Sequence, residues 1–229
     1  MRLICPLLCF FLLAALAGCT PAEPRPEALG YAYFPLETGA FLEYEARETQ
    51  YALTGPPTTR TYQIREVVGE AQPDATGAPA FRLERYRRAS DAQPWRIDSV
   101  WTARQTPELA LRTENNLPFV KLIFPLAEGQ RWDGNALNGR GPDEYELREL
   151  HRPRAVGAQT FDRTLTVIQQ NDSTLVSLDR RTEIYAEAVG LVYRERTQFF
   201  YCNAPACLGQ GRIDFGTQVV YRIRSYGKE

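Results

Sequence analysis

Turn-forming stretches interrupt this chain at short intervals, and that spacing constrains the fold more than any other feature. Each stretch combines proline, glycine, asparagine or aspartate, which favour the backbone angles of tight turns. They fall at TGPPTT (54–59), PDATGAP (73–79), SDAQP (90–94), TPE (106–108) and ENNLP (114–118). The segments between them are rich in tyrosine, valine, isoleucine, threonine and phenylalanine, which pack well on a pleated sheet. This pattern is typical of an all-β domain, a sandwich or a barrel.

Several of these segments alternate between apolar and polar residues. After Ile213, one face carries Phe215, Thr217, Val219, Tyr221 and Ile223, and the other carries Asp214, Gln218, Arg222 and Arg224. In residues 94–103, one face carries Trp95, Ile97 and Trp101. A period of two with one polar face predicts antiparallel strands over a single core. The run FVKLIF (119–124) fits either a strand buried on both sides or a short helix beneath the sheet, and we expect few helices after residue 30.

The N-terminus has the features of an exported lipoprotein precursor. Arg2 is followed by the apolar run 3–17, and Gly18 and Cys19 come directly after this run. The run is short for a membrane span and fits a secretory signal. Its end resembles the lipobox of bacterial lipoproteins, in which the cysteine thiol is alkylated by diacylglycerol and the bond before it is cut. We expect residues 1–18 to be removed and Cys19 to carry the lipid; the alternative is an ordinary signal peptide that contains a cysteine.

Residues 20–30 (TPAEPRPEALG) contain three prolines and no apolar periodicity, so we expect a tether after Cys19. At roughly 3.1 Å per residue it would hold the domain about 30 Å from the membrane. A single β-rich domain is expected over residues 31–229. Thr20 stands where aspartate would favour retention at the inner membrane, so the outer membrane is the expected location, with either the periplasmic or the surface face possible for the domain.

The charge of the chain argues against a nucleic-acid partner. The formal net charge is −1, and removal of Arg2 with the signal leaves −2, without the basic stripe that nucleic acids require. The membrane is the expected partner, through the N-terminal lipid.

Two cysteines remain after the signal and the lipidated residue are set aside. Cys202 and Cys207 lie in YCNAPACLGQG. In an oxidising compartment their proximity favours a disulfide that closes a short loop. The alternative is a metal or redox pair, but the CxxxxC spacing is not that of redox sites and the single histidine is distant in sequence.

A motif occurs twice. The stretch FPLETG (34–39) precedes Phe41, and FPLAEG (124–129) precedes Trp132. In each, proline fixes the entry to a turn, glycine supplies the turn and an aromatic residue follows. Two related half-domains would explain the repetition; one turn device used twice also explains it and is favoured.

Four blocks carry a resemblance to a known group of proteins. YFPLETGAFLEY (33–44) looks like the YxPLxxGxxWxY start of some secreted bacterial β-proteins, and FPLAEGQRW (124–132) looks like their second block. RAVGAQTFDRTLTV (154–167) resembles their VxxPAGTFxxxxxV block, and TEIYAEAVGLVYRE (182–195) resembles their WYAxGVGLVK hairpin, with Ala188 for glycine and Tyr193 for lysine. These proteins include the TapB-like lipoproteins. The resemblance implies a curved antiparallel sheet, a half-barrel similar to the open barrel of periplasmic lipoprotein carriers, and no catalytic residues.

No catalytic, cofactor or metal site is predicted from the residues. His151 is the only histidine, and we expect it at a strand end or in a loop. A GxSxG elbow and a glycine-rich phosphate loop are both missing from the sequence. The loop 133–144 is rich in oxygen side chains that could gather calcium, but its spacing is not that of an EF-hand, and a solvated loop is favoured. The arginines of 82–88 could receive an anion, but Glu84 among them favours a solvated sheet face.

The sequence is compatible with two main functions, and a hydrolase with an unrecognised site is a third alternative. The first is a non-catalytic binding module whose concave face holds a lipid or another hydrophobic ligand. Its candidate lining residues are Tyr62, Phe81, Trp95, Trp101 and Tyr221. The same residues are more often part of a plain core, and that alternative is favoured. The second is an envelope protein that presents a surface to a protein partner.

Overall fold

The computed structural model describes residues 29–74 and 77–229. The expected signal peptide (1–18), the lipidated Cys19 and nearly all of the expected tether lie outside the described residues. Across the described ranges, no helix has the length and apolar character needed to cross a membrane.

The described chain is all-β, which confirms the predicted fold class. One 3-10 turn, Tyr31–Tyr33, precedes twelve strands. These are β1 (Ala40–Tyr51), β2 (Thr58–Pro73), β3 (Pro79–Arg88), β4 (Arg96–Gln105), β5 (Leu109–Glu114), β6 (Leu117–Ile123), β7 (Arg131–Asp133), β8 (Glu144–Val156), β9 (Gln159–Ser173), β10 (Ser177–Ala186), β11 (Gly190–Tyr201) and β12 (Ile213–Lys228). The FVKLIF run is therefore a strand, β6, and not a short helix.

All twelve strands belong to one antiparallel sheet. Its order is β6-β5-β4-β3-β2-β1-β12-β11-β10-β9-β8-β7, so the first and last strands pair in the middle. The two ends of this order, β6 and β7, also approach each other. The Val120 amide donates to the Gly134 carbonyl at 2.9 Å, and the Trp132 indole Nε1 donates to the Val120 carbonyl at 2.9 Å. The sheet thus curls nearly into a closed barrel, which leaves few strand edges exposed.

The barrel is filled by two clusters of buried apolar side chains. The larger one comprises Tyr33, Phe34, Leu83, Trp101, Ala103, Ala110, Leu111, Val120, Leu122, Phe124, Trp132, Tyr145, Leu147, Leu165, Val167, Tyr185 and Leu191. The smaller one comprises Tyr44, Ala46, Tyr62, Ile64, Val156, Phe161, Ile184, Ala186, Val192 and Ile223. Each large side chain buried in this way contributes about 1.5–3 kcal/mol. The core therefore draws on both halves of the chain.

The predicted apolar face in residues 94–103 is interrupted by a bulge. Trp101 is 7% exposed, whereas Ile97 is 59% exposed. Opposite β4, Arg85 pairs with Ser99 and Tyr86 with Ile97, so Asp98 is an extra residue in β4. One extra residue moves every side chain beyond it to the other face. The prediction that Ile97 and Trp101 share a face was wrong for this reason.

The alternation predicted for β12 holds only toward its C-terminal end. Ile223 is buried and Tyr221 half-buried, but Phe215 is exposed although it has the same parity. Phe215 pairs with Phe200 of β11, which is itself exposed. The face of the ladder that carries Phe200 and Phe215 therefore lies outside the packed core, whereas the neighbouring Phe199 is buried.

The repeated motif forms the same turn twice. In each copy the glycine has a positive φ, 85° at Gly39 and 77° at Gly129. Each glycine amide donates a hydrogen bond to a carbonyl on the second strand that follows it. Gly39 donates to Val68 of β2 at 2.8 Å, and Gly129 donates to Leu147 of β8 at 2.9 Å. The two copies precede β1 and β7, so each opens a run of six strands.

Candidate functional site

An apolar cavity of about 320 Å³ lies at one end of the barrel. Its walls come from the N-terminal segment, from neighbouring strands and from the β10–β11 turn. The side chains that form them include Phe34, Pro35, Leu36, Leu42, Val68, Leu83, Ala103, Val189, Leu191 and Tyr226. The cavity is concave and mostly apolar, as small-molecule sites in proteins usually are.

Local backbone geometry brings the N-terminal segment over the cavity. Gly190, the first residue of β11 after the β10–β11 turn, has a φ of 97°, and a Cβ there would lie 3.4 Å from the Pro35 ring. Glycine at this position permits both the left-handed backbone and the close approach. The Ala188 amide donates to the Ala32 carbonyl at 2.8 Å, which ties the turn to the segment that precedes β1.

Four charged side chains also line this cavity: Glu66 and Arg112 are buried, whereas Glu37 and Lys228 are exposed. Arg112 Nη2 donates to Glu66 Oε1 at 2.5 Å, and Arg85 Nε donates to the same oxygen at 2.9 Å. Burial alone would raise the pKa of the Glu66 carboxyl, but the positive charges of Arg112 and Arg85 outweigh burial and hold that pKa below its ordinary value. Glu66 is therefore ionised at neutral pH, and the apolar cavity has one charged wall.

The ion pair at Glu66 continues into a network across the barrel. Glu114 Oε2 accepts from Arg194 Nη2 at 3.0 Å, and Glu114 Oε1 lies 3.3 Å from Lys121 Nζ. Lys121 Nζ also donates to Glu183 Oε1 at 2.8 Å. The Tyr185 hydroxyl donates to the other oxygen of Glu183 at 2.7 Å. The network joins strands of the first half of the chain to β10 and β11 of the second half.

The pKa values of the two further carboxyls follow the same pattern as that of Glu66. Burial would raise both, but Arg194 and Lys121 hold the pKa of Glu114 well below its ordinary value. Lys121 and Arg194 likewise lower the pKa of Glu183. The carboxyls therefore remain charged, and the network is held by charge-assisted hydrogen bonds.

None of the five aromatic residues predicted to form a ligand face lines the apolar cavity. Trp101 is buried between the guanidinium groups of Arg85 and Arg112, whose Cζ atoms lie 3.8 and 4.7 Å from its ring centre. Tyr62 is buried, and its ring contacts that of the half-buried Tyr221. Their role in a ligand face stays a prediction.

The remaining two of these five aromatics lie near the surface. Phe81 lines a shallow hollow beside Tyr31. Trp95 precedes β4, and the Arg88 guanidinium lies 4.1 Å from its ring centre. Neither residue contributes to the lining of the apolar cavity.

Apart from Arg85, which belongs to the arginine cluster of 82–88, the charged residues of the network were not predicted from the sequence. One signal was visible: Lys121 stands alone in the apolar run FVKLIF, and a charge that is buried must be paired. Its partners, Glu114 and Glu183, are buried with 8% and 1% of their surface exposed. Nothing local in the sequence indicates a partner on β10, because seven strands separate β10 from β6 in the sheet.

The single histidine lies within β8, at a bulge, rather than at a strand end or in a loop. His151 has a φ of 59°, and its Nδ1 is 2.8 Å from the Tyr33 hydroxyl. Partial burial and the positive charge of Arg163 lower the pKa of the imidazole. The Tyr33 hydroxyl and the Arg163 guanidinium, 2.8 and 3.0 Å from Nδ1, together hold the ring in place.

The arginine cluster is divided between two environments. Arg85 is buried in the network, which corrects the expectation that the cluster forms a solvated face. Arg82 pairs with Glu84 at 3.1 Å, and Arg88 pairs with Asp91 at 2.5 Å. These two arginines are engaged by neighbouring carboxylates on or near the surface.

The oxygen-rich loop 133–144 uses its side chains to hold itself together. Asp133 Oδ1 accepts from the amides of Asn135 and Asp143 at 2.9 and 2.8 Å. Asp143 receives both terminal nitrogens of Arg181 at 2.7 and 2.8 Å. Over the described residues, no group of three or more side chains suited to a metal ion is found.

The predicted disulfide is confirmed. Cys202 and Cys207 are bonded across the connection between β11 and β12, with their Cα atoms 5.8 Å apart. Both are buried, with 2% and 5% of their surface exposed. The bond therefore closes a short loop between β11 and β12, outside the paired strands.

The fold and the site together define a twelve-stranded antiparallel barrel-like protein with an internal apolar cavity and a buried ionic network. No family model, curated protein or solved structure matches the chain.

Proposed function

We propose that this chain is a lipid-anchored lipoprotein of the bacterial cell envelope, most simply of the outer membrane, whose barrel binds a hydrophobic or lipid-like ligand without catalysing a reaction. The observation that carries the binding function is the apolar cavity of about 320 Å³. The lipobox-like sequence before Cys19 supports the anchor, and the resemblance to TapB-like lipoproteins supports the envelope location.

The size of the cavity limits the ligand. Small-molecule sites span about 300–1,000 Å³, so this cavity stands near the lower end of the range. It suits a single acyl chain or a small apolar ring system better than a two-chain phospholipid. Its charged wall at Glu66 and Arg112 would favour a ligand with a polar end, because a polar group there can hydrogen-bond to these side chains.

The binding function is tested on a soluble form that begins at residue 20 and is purified without detergent. Organic extraction followed by mass spectrometry should recover one class of apolar molecule in a fixed ratio to the protein. After extraction, the protein should bind a neutral apolar fluorophore such as N-phenyl-naphthylamine with a stoichiometry of one. A protein that carries no extractable molecule and gives no saturable fluorescence would refute the proposal.

The anchor is tested separately. Cys19→Ser should abolish acylation, and the protein should then be found as uncleaved precursor or in the soluble fraction. Metabolic labelling with a palmitate analogue measures acylation directly. Labelling that persists in the variant would exclude Cys19 as the lipidated residue.

A second candidate function is docking of an envelope protein on an exposed apolar patch. The patch comprises Leu175, Val176, Phe200, Leu208 and Phe215, each at least 39% exposed. Phe200 and Phe215 are stacked with their ring centres 4.6 Å apart, and Tyr201 donates to the Val176 carbonyl at 2.8 Å. Exposed apolar patches often mark interaction surfaces.

The second candidate predicts a partner that depends on this patch. Crosslinking in membranes should yield a defined product with the unaltered chain, and Phe200→Ser with Phe215→Ser should remove it. The matched control is Val100→Ser, which changes an exposed apolar residue on β4. A crosslinked product that survives the double change would exclude this surface.

A further inference from the structure

A second cavity, of about 270 Å³, lies on the other side of the ionic network. Glu114, Lys121 and Arg194 form part of its wall. Arg112, two residues before Glu114 on β5, lines the apolar cavity instead. The network therefore separates an apolar cavity from a polar one, and the two can be tested independently.

The wall of the polar cavity carries an excess of positive charge. Its cationic side chains are Lys121, Arg140, Arg181, Arg194 and Arg196, and its anionic ones are Glu114, Asp143 and Glu195. Among these lining residues the cations outnumber the anions by two. The buried Glu183, which lies 2.8 Å from Lys121, neutralises one of them and leaves an excess of one positive charge. An enclosed wall with one sign in excess concentrates ions of the opposite sign.

The excess can be assigned to particular residues. Arg181 is held by both oxygens of Asp143, and Arg194 is held by Glu114 at 3.0 Å. Within the described part of the chain, Arg140 and Arg196 have no ion-pair partner. Both are exposed at the mouth of the cavity, so both are available to a ligand.

A buried amide in the same wall is also unsatisfied. Gln169 is 5% exposed, and its Nε2 has no hydrogen-bond partner in the described structure. A buried donor without an acceptor is costly, so such groups usually indicate a missing acceptor. An oxygen atom placed in the cavity would supply that acceptor.

We propose that the polar cavity binds a small oxyanion with two or more negative charges. Arg140 and Arg196 pair with its oxygens, and Gln169 Nε2 donates to it from the buried side of the cavity. Guanidinium groups suit this role because their planar donors match the oxygens of carboxylates and phosphates. Phosphate monoesters and polycarboxylates share this chemistry.

The experiment uses the full chain in a neutral detergent, which occupies only apolar sites, and measures binding by calorimetry. Inorganic phosphate and citrate are the two probes. We expect saturable binding of at least one with a stoichiometry of one, and the preferred probe tells a phosphate source from a carboxylate source. Arg140→Gln and Arg196→Gln should each weaken binding about tenfold, or about 1.4 kcal/mol. Gln169→Leu should weaken it as well.

The matched control is Arg47→Gln. Arg47 is an exposed arginine on β1, outside both cavities. Its loss should leave anion affinity unchanged within twofold, which corresponds to about 0.4 kcal/mol. Failure of both probes to bind, or equal weakening by Arg47→Gln and Arg196→Gln, would overturn the proposal. Because the apolar cavity plays no part in this measurement, either result leaves the proposed hydrophobic ligand untouched.

Discussion

Lys121 Nζ donates a 2.8 Å hydrogen bond to Glu183 Oε1, although β6 and β10 are separated by seven strands in the sheet. The contact is possible only because the sheet curls back on itself. Both residues are buried, with 3% and 1% of their surface exposed. The pair belongs to the ionic network between the apolar and the polar cavity, so barrel closure and the two cavities depend on the same side chains.

The first prediction concerns the stability supplied by this pair. Lys121→Met should lower the free energy of unfolding by about 3–5 kcal/mol, because it leaves the buried carboxylates of Glu114 and Glu183 with less compensation. Urea denaturation measures the change. Arg131→Gln, which breaks an exposed pair with Glu144, should cost less than about 1 kcal/mol. Equal losses in the two variants would contradict the buried network.

The second prediction concerns the loss of folding stability at low pH. In the folded protein, the pKa values of Glu66, Glu114 and Glu183 lie below their ordinary value of 4.5. The unfolded chain therefore binds more protons as the pH falls through this range, and stability is lost. We expect the urea midpoint to fall steeply below pH 4.5, after a smaller decline below pH 6.5 that comes from His151, whose pKa is also lowered in the folded protein. Glu114→Gln should be less stable at neutral pH and show a shallower fall; an unchanged slope would contradict the assignment.

The third prediction concerns the disulfide. Closing so short a loop is worth about 2 kcal/mol in the chain-entropy account, so Cys202→Ser with Cys207→Ser should reduce stability by about that amount. Thermal unfolding with and without a reducing agent measures it. The reductant should destabilise the unaltered protein and leave the double variant unchanged. A reductant effect on the double variant would show that another cause is at work.

The fourth prediction separates two of the aromatic residues. Trp101→Ala should cost about 3–5 kcal/mol, because Trp101 is buried and lies between two guanidinium groups. Trp95→Ala should cost about 1 kcal/mol or less, because it loses mainly a surface cation–π contact with Arg88. Denaturant titration of both variants is the measurement. Similar costs at the two positions would contradict their different environments.

The sequence predicted the fold class because strand alternation and turn residues are local signals. Local sequence was enough to predict the turns and the strand structure of most apolar segments. It was also enough to predict the Cys202–Cys207 bond. The bulge at Asp98 was not, since a bulge is defined by the opposing strand and not by its own sequence. It was this bulge that placed Ile97 and Trp101 on different faces.

The candidate sites were much harder to predict than the fold. The apolar cavity combines residues as distant in sequence as Phe34, Val68 and Leu191, which meet only after the barrel forms. The polar cavity depends on which arginines are left without partners. Arg196 is one arginine among many in the sequence, and only the pairing of its neighbours distinguishes it.

The hydrophobic ligand proposed for the apolar cavity can be tested by one titration of two matched variants. Val68→Trp places a large ring in the cavity wall, and Val100→Trp makes the same change at an exposed position on β4. Both variants are titrated with N-phenyl-naphthylamine after extraction. We predict an affinity at least about tenfold weaker for Val68→Trp, a difference of about 1.4 kcal/mol, and an unchanged affinity for Val100→Trp. Equal affinities in the two folded variants would contradict the claim.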